Sequence, residues 1–385
     1  MTYRVFVMLM MLLAGCTGPK ENAIGWIKSA RLPDVGGKDN LGVAGPMVGV
    51  FGDSLIIAGG ANFPEGMPWE GGKKIFQNQV YLYSIDGEGL RFQKQFDLDR
   101  GIGYSANFDF EHKLYSAGGE DENGALSQVS CYSLSPSAGL QKTKLPDLPV
   151  PLSNGGLSGN KDHLYFIGGE NSEFVSDKIY GLDLNDEPSG WKEIMNLPYP
   201  ISHAVVVGDL GEKIYVLGGR KRNLNSRSDI YDSVLEIHVG EDRSIRAITK
   251  LPRTVAAGTG IYHQGRIFVF GGDDGSTFHQ VEDALGAIQL ESDSSKREKL
   301  IEAKNKLQVN HPGFSRENWV YDISTGSWFK GEDMRGISPV TTTAIMKDQL
   351  IIIPSGEVRA GVRTNEILVG RLRGDENKPS RVEKN

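Results

Sequence analysis

Five times along this chain a short run of aliphatic, β-branched and aromatic residues ends in a pair of glycines, and no other feature restricts the possible folds as much. The copies are Leu55-Ile56-Ile57-Ala58-Gly59-Gly60, Leu114-Tyr115-Ser116-Ala117-Gly118-Gly119, Leu164-Tyr165-Phe166-Ile167-Gly168-Gly169, Ile214-Tyr215-Val216-Leu217-Gly218-Gly219 and Ile267-Phe268-Val269-Phe270-Gly271-Gly272. A weaker sixth copy, Leu350-Ile351-Ile352-Ile353-Pro354-Ser355-Gly356, keeps only the second glycine. Second glycines follow one another at 59, 50, 50, 53 and 84 residues, a spacing that fits repeats carrying loop insertions. Each copy is followed by a further strand-like run, such as Val80-Tyr81-Leu82-Tyr83, Lys178-Ile179-Tyr180-Gly181-Leu182 or Trp319-Val320-Tyr321-Asp322. The glycines let the backbone turn where a Cβ would clash. Six repeats of this kind imply six blades of an all-β propeller spanning residues 17–373.

The unit resembles the kelch repeat, and the resemblance covers nearly the whole chain after its first residues. One detail predicts how the ring closes. Trp191 precedes Leu197-Pro198 by six residues to the leucine, and Trp26 stands in the same relation to Leu32-Pro33. No outer strand follows Asn365 to Gly370, so the segment Ile24 to Ala30 is expected to supply the fourth strand of blade six. Such closure leaves few exposed strand edges. Between Asp273 and Trp319 the repeat is interrupted; Ser295 to Leu307, with Leu300, Ile301 and Leu307 at helical spacing, predicts a short helical insertion in blade five.

The first residues read differently. Arg4 precedes an apolar run from Val5 to Leu13, too short for a lasting bilayer span but suited to an export signal. The run ends in Leu13-Ala14-Gly15-Cys16, which resembles a bacterial lipobox. Residues 1–16 are therefore expected to be a lipoprotein signal with Cys16 lipidated. Thr17 follows, giving no acidic retention signal, so a periplasmic location on the outer membrane is expected, with membrane contact through the lipid only. Cys131 is then the one remaining thiol, and no internal disulfide can form. Residues 374–385 are polar and charged and read as a flexible tail. A formal net charge of -7 disfavours nucleic acid as a partner.

In a four-stranded up-and-down blade, the loop from strand two to three and the loop from the outer strand to the next blade emerge on one face. Residues after each glycine pair (Asn62, Glu120, Glu170, Asn171, Arg220, Asp273, Glu357) should meet there with residues after each Leu-Pro pair (Arg100, Asn154, His203, Arg253). The segment Ser355-Gly356-Glu357-Val358-Arg359-Ala360-Gly361-Val362-Arg363-Thr364 stands out, with an acid and two arginines in place of the ordinary turn. Together with Ala58-Gly59-Gly60-Ala61-Asn62-Phe63 and Asp99-Arg100-Gly101-Ile102-Gly103-Tyr104, it resembles the N-acetylneuraminate epimerase (sialic acid mutarotase) family. That family's motif, Gly-Glu-x-x-x-Gly-x-Arg-Thr, implies a catalytic glutamate and arginine at Glu357 and Arg363. The motif lies near the C-terminus here and mid-chain in better-known members, as in a circularly permuted relative.

The resemblance implies a small sugar-acid substrate. Anomerising a cyclic 2-keto sugar acid moves one proton from the anomeric hydroxyl and another to the ring oxygen, then reverses both, and needs neither metal nor other cofactor. A carboxylate such as Glu357 can be the base, and Arg363 can grip the substrate carboxylate with a forked pair. Arg100 and Arg359 are further candidates for that grip; Asn62, Asn154 and His203 are candidates for hydroxyls or the N-acetyl group. Three other readings remain open. A copper-radical oxidase would need clustered tyrosine, histidine and cysteine, whereas the seven histidines are scattered over different blades. A noncatalytic glycan-binding lipoprotein would use Phe63, Trp69 and Phe278 as stacking platforms in long loops. A protein scaffold would use the helical insertion as its partner surface. Fold alone does not separate these.

Overall fold

The computed structural model describes residues 24–373 apart from Lys28, Glu88 and residues 136–138. The expected lipidation site Cys16 and the charged tail lie outside the described residues. Among the described residues, six antiparallel sheets follow one another along the chain, each ordered from an inner strand outward. Blade one comprises Met47–Phe51, Ser54–Ala58, Gln79–Asp86 and Gly89–Asp97. Blades two to five repeat this plan, beginning with inner strands Ala106–Phe110, Gly156–Gly159, Val205–Gly208 and Thr259–His263. Blade six takes Ile345–Lys347, Leu350–Pro354 and Glu366–Leu372 from the end of the chain and its outer strand from the beginning.

The burial pattern explains the repeat's composition. Second strands are apolar at consecutive positions because neighbouring blades cover both of their faces, so Leu55, Ile56 and Ile57 are all fully buried. The outer strand of blade one, by contrast, is largely exposed from Arg91 to Gln95. The glycine pairs also serve a purpose beyond turning. In blades one to four the second glycine's N–H donates to a carbonyl of the following blade, as in Gly119 to Leu152 at 2.9 Å. A Cβ on the first glycine, Gly118, would overlap that same oxygen. The pair is thus a clasp between blades. In blade six Ser355 replaces the first glycine at φ 54°, and its hydroxyl exchanges hydrogen bonds with the Val43 N–H and the Thr364 carbonyl while Gly356 N donates to Val43 O.

Closure follows the sequence expectation. Ile24, Gly25 and Trp26 pair with Leu372, Arg371 and Gly370, and Ala30 and Arg31 resume pairing on the same strand. Ile24 is fully buried with Phe268, Phe270 and Ile351. A second closure lies at the axis. Gly45, Tyr104, Asn154, His203, Ala257 and Thr341, one from each blade, all have left-handed backbones with φ of 51–66°. Each N–H donates to the carbonyl of its counterpart one blade earlier at 2.7–3.0 Å, and Gly45 to Thr341 completes the circle. Six backbone hydrogen bonds therefore fix the mouth of the channel.

The insertion is larger than the sequence suggested. Helix α2, Ser294–Val309, contains the expected segment, but Ser276–Leu290 also forms a helix, α1. Its β-branched and aromatic residues and Gly286 argue weakly for a helix locally. Tertiary contacts hold it: Arg227 pairs with Asp283 at 2.5 Å, Ser228 donates to Glu282, and His279 Nε2 is 3.0 Å from Ser228 O.

Candidate active site

The sequence motif folds into a two-stranded hairpin, Glu357–Arg359 against Val362–Arg363, in the loop between strands two and three of blade six. Its register sets Glu357 opposite Arg363, and their side chains pair at 3.2 Å through Glu357 Oε2 and Arg363 Nη2. Gly361 N–H donates to Glu357 Oε1 at 2.9 Å. Arg363 Nε donates to the Ala61 carbonyl at 3.3 Å, and the guanidinium lies 4.7 Å from the centroid of the Phe63 ring. With 5% of its side chain exposed, Arg363 is held away from solvent behind the glutamate. Its Nη1 has no hydrogen-bond partner among the described residues. The Tyr104 phenol adjoins this pair; burial pushes it up, against the pull of Arg363 and Lys74.

Glu357 lines a pocket of about 170 Å³ whose other ionisable side chains are His203, Arg220 and Asp273, with Phe278 and Phe314 forming an apolar wall. The pocket shares His203, Ala257 and Thr341 with the channel mouth. A repeat position supplies its charges. Glu120, Glu170, Arg220, Asp273 and Glu357 are the residues just after the glycine pair in blades two to six, and each is bridged to the residue preceding a member of the axial ring. Blade one carries Ala61 there.

Charge in the pocket is balanced locally. Arg220 Nη2 donates to Glu170 Oε1 at 3.1 Å, Ser202 Oγ donates to Glu170 Oε2 at 3.1 Å, and His203 Nδ1 lies 3.6 Å from Glu170. Burial alone would raise the Glu170 carboxyl, but the Arg220 charge and the hydrogen bonds from Arg220 and Ser202 hold it below its usual value. Burial, reinforced by Arg220, pushes the His203 imidazole down to about 3, so it is neutral at physiological pH. Arg220 also covers the face of Phe278, 5.1 Å from the ring centroid, and its Nε has no partner among the described residues.

The insertion roofs this region. Helix α1 is anchored on the blade-four loop at Arg227 and Ser228, while Asn305 of α2 donates to Trp69 O in the blade-one loop at 3.3 Å. The chain leaving α2 brings His311 and Phe314 down beside the hairpin, their rings 4.9 Å apart. Among the described residues no helix is long and apolar enough to cross a membrane, and no three His, Cys, Asp or Glu side chains cluster in a way that could hold a metal ion.

The sequence candidates are distributed unevenly. Glu357 and His203 line the pocket, and Asn154 lines the adjoining channel mouth with its Nδ2 bonded to Ser153 Oγ at 3.1 Å. Arg359 stands exposed on the hairpin. Asn62 and Arg100 are not brought to the pocket. The Asn62 amide is buried and used by the fold, donating to Gly42 O and accepting from Gln77, both at 2.8 Å. Arg100 pairs with Asp121 at 3.0 Å and Gln128 at 2.9 Å in a groove between blades one and two. Phe278 lies on a helix rather than in a loop, and both it and Phe63 have a face taken by a guanidinium. Arg220 and Asp273, which the sequence placed on this face without singling them out, line the pocket beside Glu357. The clue available beforehand was that they occupy the same repeat position as Glu357.

A family model described as N-acetylneuraminate epimerase matches residues 145–384. The chain is similar to N-acetylneuraminate epimerases of Haemophilus influenzae (strain 86-028NP), 24% identical over 228 residues and covering 59% of each chain. It is similar to that of Brucella melitensis biotype 1, 25% identical over 252 residues, 64% of this chain and 63% of the relative. The match to the Salmonella typhi protein is 22% over 239 residues, 62% and 60% of the two chains. The matched region thus spans about 60% of the length of these curated relatives. A solved structure described as that of YjhT superposes with a TM-score of 0.60 at 14% identity, covering 85% of this chain and 94% of the other, a likeness of fold.

Proposed function

The chain belongs to the N-acetylneuraminate epimerase family, and from that premise we propose that it interconverts the α and β anomers of N-acetylneuraminic acid by acid/base ring opening and closure. One observation carries the reading. A glutamate, Glu357, is fixed by Arg363 and the Gly361 N–H and presented to a pocket that also contains an arginine, a neutral histidine and a second acid. Glu357 takes the proton from the anomeric hydroxyl, and a positioned base of this kind contributes roughly 10²- to 10⁴-fold. Arg363, enclosed behind it, sets the orientation of the carboxylate. Arg220 is the arginine open to the pocket and grips the substrate carboxylate, for which a guanidinium fork is suited. His203 bonds a hydroxyl without bringing charge, and Phe278 and Phe314 receive the apolar part of the N-acetyl group.

Export and lipid attachment at Cys16 belong to the same proposal, since they would put the activity where sialidase products are met. Replacing Cys16 by alanine should move the protein from the membrane fraction to the soluble periplasm.

Time-resolved proton NMR of the α-anomer, freshly released by a sialidase, tests the activity. Wild type should hasten appearance of the β-anomer, and Glu357→Gln should lose at least 100-fold of that effect. Binding of the sugar without acceleration by wild type would leave a glycan-binding protein and end the enzymatic reading.

A further inference from the structure

Ring opening needs a proton delivered to the ring oxygen as well as one removed from the anomeric hydroxyl, and Glu357 is in place for only one of these. The second group must lie in the same pocket, own a dissociable proton and have an oxygen or nitrogen free to reach substrate. Arg220 and Arg363 keep their protons and are engaged with Glu170 and Glu357. His203 turns Nδ1 to Glu170 and Ser202 and, held neutral by burial, has no acidic proton to give near neutral pH. His311 does not line the pocket, and its Nδ1 accepts the Gly313 N–H at 3.0 Å. Asp273 remains.

We propose that Asp273 is the general acid that protonates the ring oxygen, acting across the pocket from Glu357. The two carboxyls hold the same repeat position in adjacent blades. Asp273 exchanges backbone hydrogen bonds of 2.8 and 2.9 Å with Ala256, as Glu357 does with Val340, so both side chains start from rigid, equivalent points on the mouth. Asp273 Oδ1 accepts the Gly275 N–H at 2.9 Å, while Oδ2 has no hydrogen-bond partner among the described residues. The surroundings favour a protonated carboxyl. Burial, in first place, lifts Asp273 above its ordinary value and Asp274 pushes the same way, against the Gly275 N–H, His311 and Arg220. Glu357 and His203 are the remaining titratable groups on the pocket wall.

The proton balance closes. Glu357 takes the anomeric hydroxyl proton, the oxygen becomes a carbonyl, the bond from the anomeric carbon to the ring oxygen breaks, and that oxygen receives the Asp273 proton. After rotation exposes the other carbonyl face, the Asp273 carboxylate takes the proton back from the hydroxyl as it attacks, and Glu357 returns its proton to the carbonyl oxygen. Both groups end as they began, and no co-reactant is consumed.

This inference rests on the epimerase reading, and the experiment separates the two. The NMR assay is run from pH 5 to 9 with the spontaneous rate subtracted, on wild type and on Asp273→Asn, which keeps the acceptor for Gly275. The expected result is a kcat at least 100-fold lower in the variant with KM changed less than about threefold, together with loss of the alkaline limb on which wild-type kcat falls. A variant retaining half or more of wild-type kcat overturns the proposal and leaves the epimerase reading standing. If the variant fails to fold, wild type decides: a kcat flat across this range rules out an acid of this kind. No acceleration by wild type would instead sink the function on which the inference rests.

Discussion

Replacing His203 by asparagine should make the fold less sensitive to acid by an amount the structure sets. In the folded chain the imidazole stays neutral down to about pH 3, whereas in the unfolded chain it takes a proton near 6.5. Protons therefore bind the unfolded state preferentially: the stability tied to the neutral ring is intact above pH 6.5 and is lost as pH falls towards 3. At pH 5 the loss is the 1.5 units between 5 and the unfolded value, about 2 kcal/mol at 1.36 kcal/mol per unit. That figure depends only on the folded ring remaining neutral at pH 5. Glu170, whose carboxyl is also held low, begins to contribute only near its unfolded value of 4.5, below this window. His263 and His311 are likewise held down by burial, but they act alike in both proteins and cancel. Asparagine suits the site because the equivalent residue one blade earlier, Asn154, has a φ of 53° against 54° for His203. Urea denaturation of both proteins at pH 7.5 and pH 5.0 supplies the test. The variant should lose about 2 kcal/mol less than wild type between the two; equal losses would refute a neutral buried imidazole.

Three further outcomes follow from side-chain placement. Arg363→Lys keeps a charge but loses the fork that meets both Glu357 and the Ala61 carbonyl, so kcat should fall with KM little changed; Arg220→Lys, at the pocket wall, should chiefly raise KM, and steady-state kinetics on the two variants would tell them apart. Ile24→Ala removes a fully buried side chain from the strand that closes blade six and should cost about 2–5 kcal/mol in urea denaturation, a loss that would be near zero if the chain start did not close the ring.

What the sequence determined by itself was whatever is local or repeated. A strand covered on both faces must be apolar at successive positions, and a clasp between blades must lack a Cβ, so the six second strands and their glycines stood out without coordinates. Counting those repeats left blade six one strand short, and the Trp26 to Leu32 spacing named the strand that fills it. The motif around Glu357 and Arg363 was legible for a related reason: a hairpin of seven residues makes its partners neighbours in sequence. Tertiary structure alone decided which distant polar residues meet. Asn62 and Arg100 look available in sequence, but their capacity is consumed by Gly42, Gln77, Asp121 and Gln128. Arg220, Asp273 and Phe278 gain their place because loops from separate blades converge and helix α1 is drawn over them by contacts with Arg227 and Ser228. Strand patterns are written at short range by burial, whereas a pocket is assembled at long range by the order and angle of the blades. No stretch of residues encodes that meeting on its own.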